Sequence, residues 1–180
     1  MFSQLFNDGS LADYISEQTI DPWQNTPFCD YVFMSPKQKG EFGERFVSKF
    51  MGDVMSCDVQ RAKTSTAGHD RVIDKWLVEI KFALATRDAK KGGTKKDSFI
   101  INHVSRDKDW QRLIFFGINE DEKDARLYYF NKADFLYHLQ SDKCLFAHQQ
   151  GGKKIENDDY ICTKVNKLIQ EDWVHPITEW

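Results

Sequence analysis

One stretch of the sequence carries residue types that can perform chemistry: Asp70 is followed by Glu79-x-Lys81. The residues around Glu79 are rich in the β-branched and aromatic types that favour a strand. Because a strand alternates its side chains between two faces, Glu79 and Lys81 point the same way, with their Cα atoms about 6.5–7 Å apart. Val78 and Ile80 point the other way, into a core. A buried strand with two charged side chains needs a reason, because unpaired charges are costly there.

The segment before this strand brings a second carboxylate to it. Asp70 begins a short strand-like run over residues 71–73, and Asp74-Lys75 is placed to turn the chain back on itself. We therefore expect Asp70 to lie beside Glu79. Two carboxylates and a lysine at a sheet edge form a hard-oxygen site for a divalent metal with a neighbouring cation.

Length and composition predict one globular domain. The chain has 180 residues, of which 41% are hydrophobic and 14% aromatic, which is enough for a proper core. The net charge of −3 argues against indiscriminate binding of polyanions by the whole surface. Any contact with a nucleic acid must therefore come from local basic patches.

Two basic loops with glycines are candidates for such patches. Gly92-Gly93 stands among Lys90, Lys91, Lys95 and Lys96, and Gly151-Gly152 precedes Lys153 and Lys154. A flexible basic loop just beyond a metal site suits a phosphodiester backbone. The alternative is a solvated turn, which lysine-rich loops form equally often.

Targeting signals and cysteine spacing both favour a cytoplasmic protein. No apolar run reaches the length of a membrane span, and Met1–Gln4 lacks a signal-peptide pattern. The cysteines show no Cys-x-x-Cys spacing, and we expect reduced packing residues at Cys29, Cys57, Cys144 and Cys162.

Ser35-Pro36 is a strong start signal for a helix, which should run to Met51 and end at Gly52. At 100° per residue, one arc of this helix collects the apolar side chains Phe42, Phe46, Val47, Phe50 and Met51.

Two glutamates of this helix differ in their angle to the apolar arc. Glu44 falls at its edge and should look into a cleft beside the core, whereas Glu41 lies on the polar side. The alternative is that both are solvated residues on a surface helix.

Apolar patterning places several further elements. The N-terminal region carries a helix over residues 10–18, for which Ser10 is the expected cap. The remaining expected elements are strands over 57–61, 113–118 and 125–130 and a helix over 132–139. The pattern assigns no type to residues 97–104 and predicts an irregular C-terminal tail.

The order of these motifs resembles a known family. Gly40-x-x-x-Glu44 on a helix, then Asp70, then Glu79-x-Lys81 on a strand is similar to the PD-(D/E)XK nuclease superfamily, within it the type II restriction endonuclease-like branch. The resemblance implies an α/β fold with an αβββαβ core and a mixed central sheet flanked by helices.

The resemblance covers roughly residues 36–165 of the chain. It divides the sequence into an N-terminal packing arm over residues 1–35 and a nuclease domain over 36–180, with a single domain overall. His69 departs from the family pattern, because it stands where the family has a proline before the aspartate.

The resemblance also implies a role for each matching residue. Asp70 and Glu79 would bind Mg²⁺, or Mn²⁺ in its place, with the Ile80 carbonyl as a further oxygen ligand. Lys81 would orient the attacking water or help to deprotonate it, and Glu44 would hold a metal-bound water or a second metal.

Two neighbours of these residues are alternatives for the same roles. Asp74 competes with Asp70, but Asp74 stands where a tight turn is expected, and Asp70 is preferred. His69 is an attractive general base, although a histidine at a strand start is more often structural, and we leave it outside the catalytic set.

The implied substrate is double-stranded DNA, cut by a type II restriction endonuclease, or a subunit of one, from a bacterium or phage. A junction resolvase is the alternative nuclease, although a more basic protein would then be expected. A DNA-binding or assembly protein with a vestigial site is the alternative outside enzymes.

We expect a homodimer, because two-fold symmetry matches palindromic DNA, or else a larger partner subunit that bears the specificity. Aromatic residues of the flanks are candidate interface anchors, with covering of the core as the alternative: Phe2, Phe6, Trp23, Trp173 and Trp180.

Overall fold

The computed structural model describes residues 7–18, 20–64, 66–87, 97–148, 159–178 and 180. The chain forms two compact units, the first made of Met1–Ser35 and Thr86–Lys96, and the second of Pro36–Ala85 and Asp97–Trp180. No helix in the described ranges is long and apolar enough to cross a membrane.

The first unit contains helix α1, Ser10–Gln18, and a 3₁₀ turn, Tyr31–Phe33. The predicted helix is confirmed, but the predicted cap is wrong. Ser10 is the first residue of the helix. Its backbone N–H and its hydroxyl donate hydrogen bonds to the Asp8 carboxylate, at 2.9 Å and 2.6 Å. Trp23 is buried and lies edge-on to Phe28 in this unit.

The second unit is a mixed α/β structure with two sheets. Its helices are α2 (Pro36–Asp53), α3 (Lys132–His138) and α4 (Val165–Leu168). Its strands are β1 (Val59–Arg61), β2 (Arg71–Ile73), β3 (Trp76–Leu84), β4 (Ile101–Ser105), β5 (Arg112–Asn119), β6 (Asp124–Asn131), β7 (Ala147–His148), β8 (Asp159–Cys162) and β9 (His175–Pro176).

The main sheet has six strands in the order β1-β2-β3-β5-β6-β9. The β3–β5 pair is parallel, and the other neighbours are antiparallel. β4, β8 and β7 form a separate antiparallel sheet. The sheet is therefore mixed, as expected, with β3 at its centre.

A two-residue turn joins β2 to β3. Asp74 and Lys75 have φ values of 46° and 76°, and Ile73 pairs with Trp76. Positive φ at both central residues is the signature of a type I′ hairpin, whose twist matches that of the flanking strands. The turn predicted at this position is confirmed.

Helix α2 covers one face of the main sheet, and its predicted apolar arc faces that sheet. Its buried residues are Gly43, Val47 and Met51. Phe42 and Phe46 are 39% and 42% exposed. Both rings still contact the sheet, Phe42 with its centroid 5.0 Å from that of Phe82 and Phe46 stacked at 4.3 Å on Phe116. Between these rings and the buried residues, a small residue at the point of closest approach lets the helix backbone rest against the sheet.

Gly43 is the small residue that permits this approach. A Cβ added there would lie 2.2 Å from the Phe82 Cβ, whereas one added at Gly40 would meet nothing within 4 Å. We expect Gly43→Ala to destabilise the protein by about 1–3 kcal/mol through overpacking. Gly40→Ala, the matched control, should stabilise it by roughly 0.5–1 kcal/mol. Thermal melting of both variants checks this, and equal changes would contradict the packing.

The opposite face of the main sheet is covered by a second cluster of buried side chains. It includes Trp110, Phe130 and Phe135, and it draws on α3, α4 and the small sheet. Trp173 also belongs to this cluster and is buried, which favours its covering role over an interface role.

Two parts of the implied αβββαβ core differ from the structure. The pattern assigned no type to residues 97–104, and this part of the chain contributes the strand β4, the regular element of the described residues between β3 and β5. The tail predicted to be irregular supplies β8, α4 and β9. These elements are only two to five residues long, so apolar periodicity could not reveal them.

Candidate active site

The β2–β3 hairpin places Asp70 beside Glu79. Arg71 pairs with Val78, so Asp70 stands one residue beyond the pair and opposite Glu79. The Asp70 N–H donates to the Val78 carbonyl at 2.9 Å. Its carboxylate Oδ2 accepts the Ile80 N–H at 2.7 Å, which fixes the side chain against β3.

Glu79 and Lys81 share one face of β3 and form a close ion pair. Lys81 Nζ lies 2.7 Å from Glu79 Oε1, with side-chain exposures of 19% and 5%. Val78 and Ile80 point to the opposite face, into the cluster under α2. A charged pair thus lies on a strand whose other face is core, as the alternation predicted.

The surroundings of Asp70 disfavour its charged form. Burial, and after it the negative charge of Glu79, raise the pKa of Asp70 to about 6. The charge of Glu44 acts in the same direction, and the Ile80 N–H and Lys81 oppose it. A positive charge placed between the Asp70 and Glu79 carboxylates would stabilise the ionised form of Asp70.

The donors at this position are all oxygens, the chemistry that Mg²⁺ prefers. Since alternate carbonyls of a strand point to the same side, the Ile80 carbonyl points to the side on which Val78 accepts the Asp70 N–H. Asp70, Glu79 and this carbonyl are the oxygen donors that would be available to a divalent cation at this position.

Glu44 lies apart from this pair. Its Oε2 accepts a hydrogen bond from Arg71 Nη1 at 3.0 Å, and Arg71 also contacts Ser48. Within the described ranges, one set of three potential metal-ligating side chains has its ligand atoms within 4.8 Å of one another, namely Asp21, Cys29 and Asp30 of the first unit. Asp70, Glu79 and Glu44 do not converge to that degree.

The predicted phase of helix α2 agrees with the placement of its two glutamates. Glu44 lines a cleft of about 340 Å³ together with His69 and Asp70. Glu41 is more exposed and lies 3.8 Å from Arg45 in a surface ion pair. Glu44 faces the site through the cleft.

Asp74 has a structural role at the far end of the hairpin. Its carboxylate accepts the Asp58 N–H at 2.8 Å, and its own N–H donates to the Asp58 carbonyl at 2.9 Å. This exchange ties the turn to the segment before β1. Asp74 is therefore placed away from Glu79, in keeping with the preference for Asp70.

One side of the cleft is basic. Arg61 at the end of β1 and Lys63 in the following loop line it, and both residues are exposed. This placement was not predicted, because only the β1–β2 pairing brings Arg61 opposite Arg71 and next to Asp70.

The segment just before β5 also reaches the site, and sequence reasoning missed it. Lys108 Nζ lies 3.8 Å from Glu79 Oε1, and Asp109 Oδ1 lies 3.0 Å from His69 Nδ1. The parallel β3–β5 pairing brings this segment beside the start of β3. The charged residues before the buried strand β5 were the available signal. The pairing of β5 with β3 was not predicted.

The lysines predicted for DNA binding lie outside the described residues: Lys90, Lys91, Lys95, Lys96, Lys153 and Lys154. Phe2 and Phe6 of the predicted interface lie outside them as well.

Neither a protein-family model nor a curated protein sequence matches this chain. Among solved structures, the bacterial homing endonuclease I-Ssp6803I is similar to it, with a TM-score of 0.41 and 13% sequence identity. The match covers 76% of this chain and 95% of that one.

Proposed function

We propose that the protein is a Mg²⁺-dependent endonuclease that hydrolyses phosphodiester bonds of double-stranded DNA. The observation that supports this most is the pairing of Asp70 and Glu79 across one hairpin, with Lys81 on Glu79. Such a site would bind a divalent cation with an ammonium next to it. Both are needed to activate water and to stabilise charge that develops on a phosphate.

Each group has a defined part in this reaction. Asp70, Glu79 and the Ile80 carbonyl would hold the metal, which supplies an activated water and polarises the phosphate. Lys81 would orient that water and offset negative charge in the transition state. Glu44, tied to Arg71, would reach a metal-bound water through the cleft.

The basic side of the cleft favours a polyanionic substrate. Arg61 and Lys63 line the same cleft as Glu44 and Asp70, while the chain as a whole has a net charge of −3. A local positive surface on an acidic protein favours phosphate contacts at one place over diffuse binding. Within this class, we favour a restriction endonuclease acting as a homodimer, or with a specificity subunit.

The test is cleavage of supercoiled plasmid DNA by the purified protein. We expect nicked and linear products with Mg²⁺ or Mn²⁺ and none with EDTA. Discrete fragments from a larger DNA would indicate sequence-specific cutting, whereas preference for four-way junctions would indicate a resolvase. DNA binding without cleavage under any divalent metal would contradict the proposal and favour a binding protein with a vestigial site.

A further inference from the structure

Two lysines approach the same oxygen of Glu79. Lys81 Nζ lies 2.7 Å from Oε1, within hydrogen-bond distance, and its side chain is largely buried. Lys108 Nζ lies 3.8 Å from that oxygen, beyond a hydrogen bond, and its side chain is 47% exposed. Lys81 is therefore the hydrogen-bonded partner of the carboxylate, and Lys108 makes a longer and more exposed ionic contact with it.

The backbone that carries Lys108 is well anchored. A Cβ added at Gly68 would lie 2.6 Å from the Asp109 nitrogen and 3.0 Å from the Lys108 Cβ, so the two segments are in close contact. His69 Nδ1 lies 3.0 Å from Asp109 Oδ1, and Lys132 Nζ donates to the Lys108 carbonyl. The segment thus presents a half-exposed ammonium from an anchored stretch of backbone.

A cation and a phosphate bound at the site would change the charges around the Lys108 ammonium. A divalent cation bound to Glu79 weakens the attraction of that carboxylate for a second lysine. A phosphate bound to the cation brings new negative charge within reach of the same ammonium. Lys108 also stands on a different segment from Arg61 and Lys63, which line the cleft.

We propose that Lys108 contacts a phosphate of the substrate DNA, as a second lysine of the site. This inference rests on the proposed function and adds to it a substrate contact that the sequence motif does not include. The contact strengthens binding of the phosphodiester next to the metal, while Lys81 remains with Glu79.

The experiment measures binding of a short fluorescent duplex by anisotropy over a range of salt concentrations, with Ca²⁺ at a fixed concentration in place of Mg²⁺ so that the metal position is filled. Lys108→Gln should weaken binding about tenfold. It should also lower the slope of log Kd against log salt by about 0.9, the value for one phosphate contact on duplex DNA. Lys108→Arg should keep most of the slope. Melting temperatures confirm that each variant is folded.

Lys123 provides the matched control, because it contacts the buried Glu120 at the β5–β6 turn. Lys123→Gln should leave affinity and slope unchanged. An unchanged slope in folded Lys108→Gln, or a loss equal to that of Lys123→Gln, overturns the inference.

Cleavage assays separate this inference from the proposed function. If the wild type cleaves DNA and Lys108→Gln keeps its slope and KM, the inference is wrong and the nuclease stands. If the wild type binds DNA with a slope that depends on Lys108 but never cleaves, the contact stands and the nuclease is wrong. If the wild type does not bind DNA, both are wrong.

Discussion

Glu79→Gln is expected to lower the rate of Mg²⁺-dependent DNA cleavage by about 10³-fold or more. The amide keeps the shape of the side chain but removes the charge that holds the metal, and the loss of several kcal/mol of transition-state stabilisation gives this factor. The measurement is single-turnover cleavage of plasmid DNA, with Mg²⁺ varied to separate metal affinity from rate.

Glu120→Gln is the control for this substitution. Glu120 is also a buried glutamate paired with a lysine, but it lies at the β5–β6 turn. Both substitutions remove a buried charge and should change the free energy of unfolding by similar amounts. Only Glu79→Gln should abolish cleavage. Equal activity of the two folded variants would remove Glu79 from the active site.

The second large effect is a pH-dependent stability that Asp70 imposes. Its pKa is raised from 3.8 to about 6 in the folded protein. Between these two values the folded state keeps a proton that the unfolded state has lost. Stability of the metal-free protein therefore falls as pH rises through this window, by up to about 3 kcal/mol from this group.

Asp70→Asn should remove this dependence. Relative to the wild type, the metal-free variant should gain stability as pH rises from about 4 to 7, a change read as a growing difference in urea-unfolding free energy. Parallel pH curves for the two proteins would contradict the assignment.

Above pH 6, Mg²⁺ should make the wild type more stable relative to Asp70→Asn. A ligand that binds only the folded state stabilises it by RT ln(1 + [L]/Kd). The wild type should therefore gain stability with Mg²⁺, and Asp70→Asn should gain little. Asp74→Asn, at the other end of the hairpin, should respond to Mg²⁺ as the wild type does.

The elements that could be predicted are those with strong local signals. Ser35-Pro36 marked the start of α2, the apolar runs marked β3, β5 and β6, and Asp74-Lys75 marked the hairpin turn. Because this turn is local, the approach of Asp70 to Glu79 could be predicted from sequence as well.

What could not be predicted depends on tertiary contacts. A helical wheel gave the angle of Glu44 but not its partner Arg71, which comes from another element. It also treated all apolar residues of α2 alike, although Gly43 and not Phe42 lies at the closest approach to the sheet. Lys108 reaches Glu79 through the β3–β5 pairing, which no local pattern specifies.

The two kinds of pairing made by β3 have different costs in chain entropy. Asp70 and Glu79 are nine residues apart and meet across the hairpin, whereas Lys108 is 29 residues beyond Glu79 and arrives with a parallel strand. Closing the longer loop costs about 1 kcal/mol more by the logarithmic dependence on length. Hairpins form within microseconds, and non-local parallel pairs form more slowly. We therefore expect the two carboxylates to come together before β5 docks, and the site to be completed by that docking.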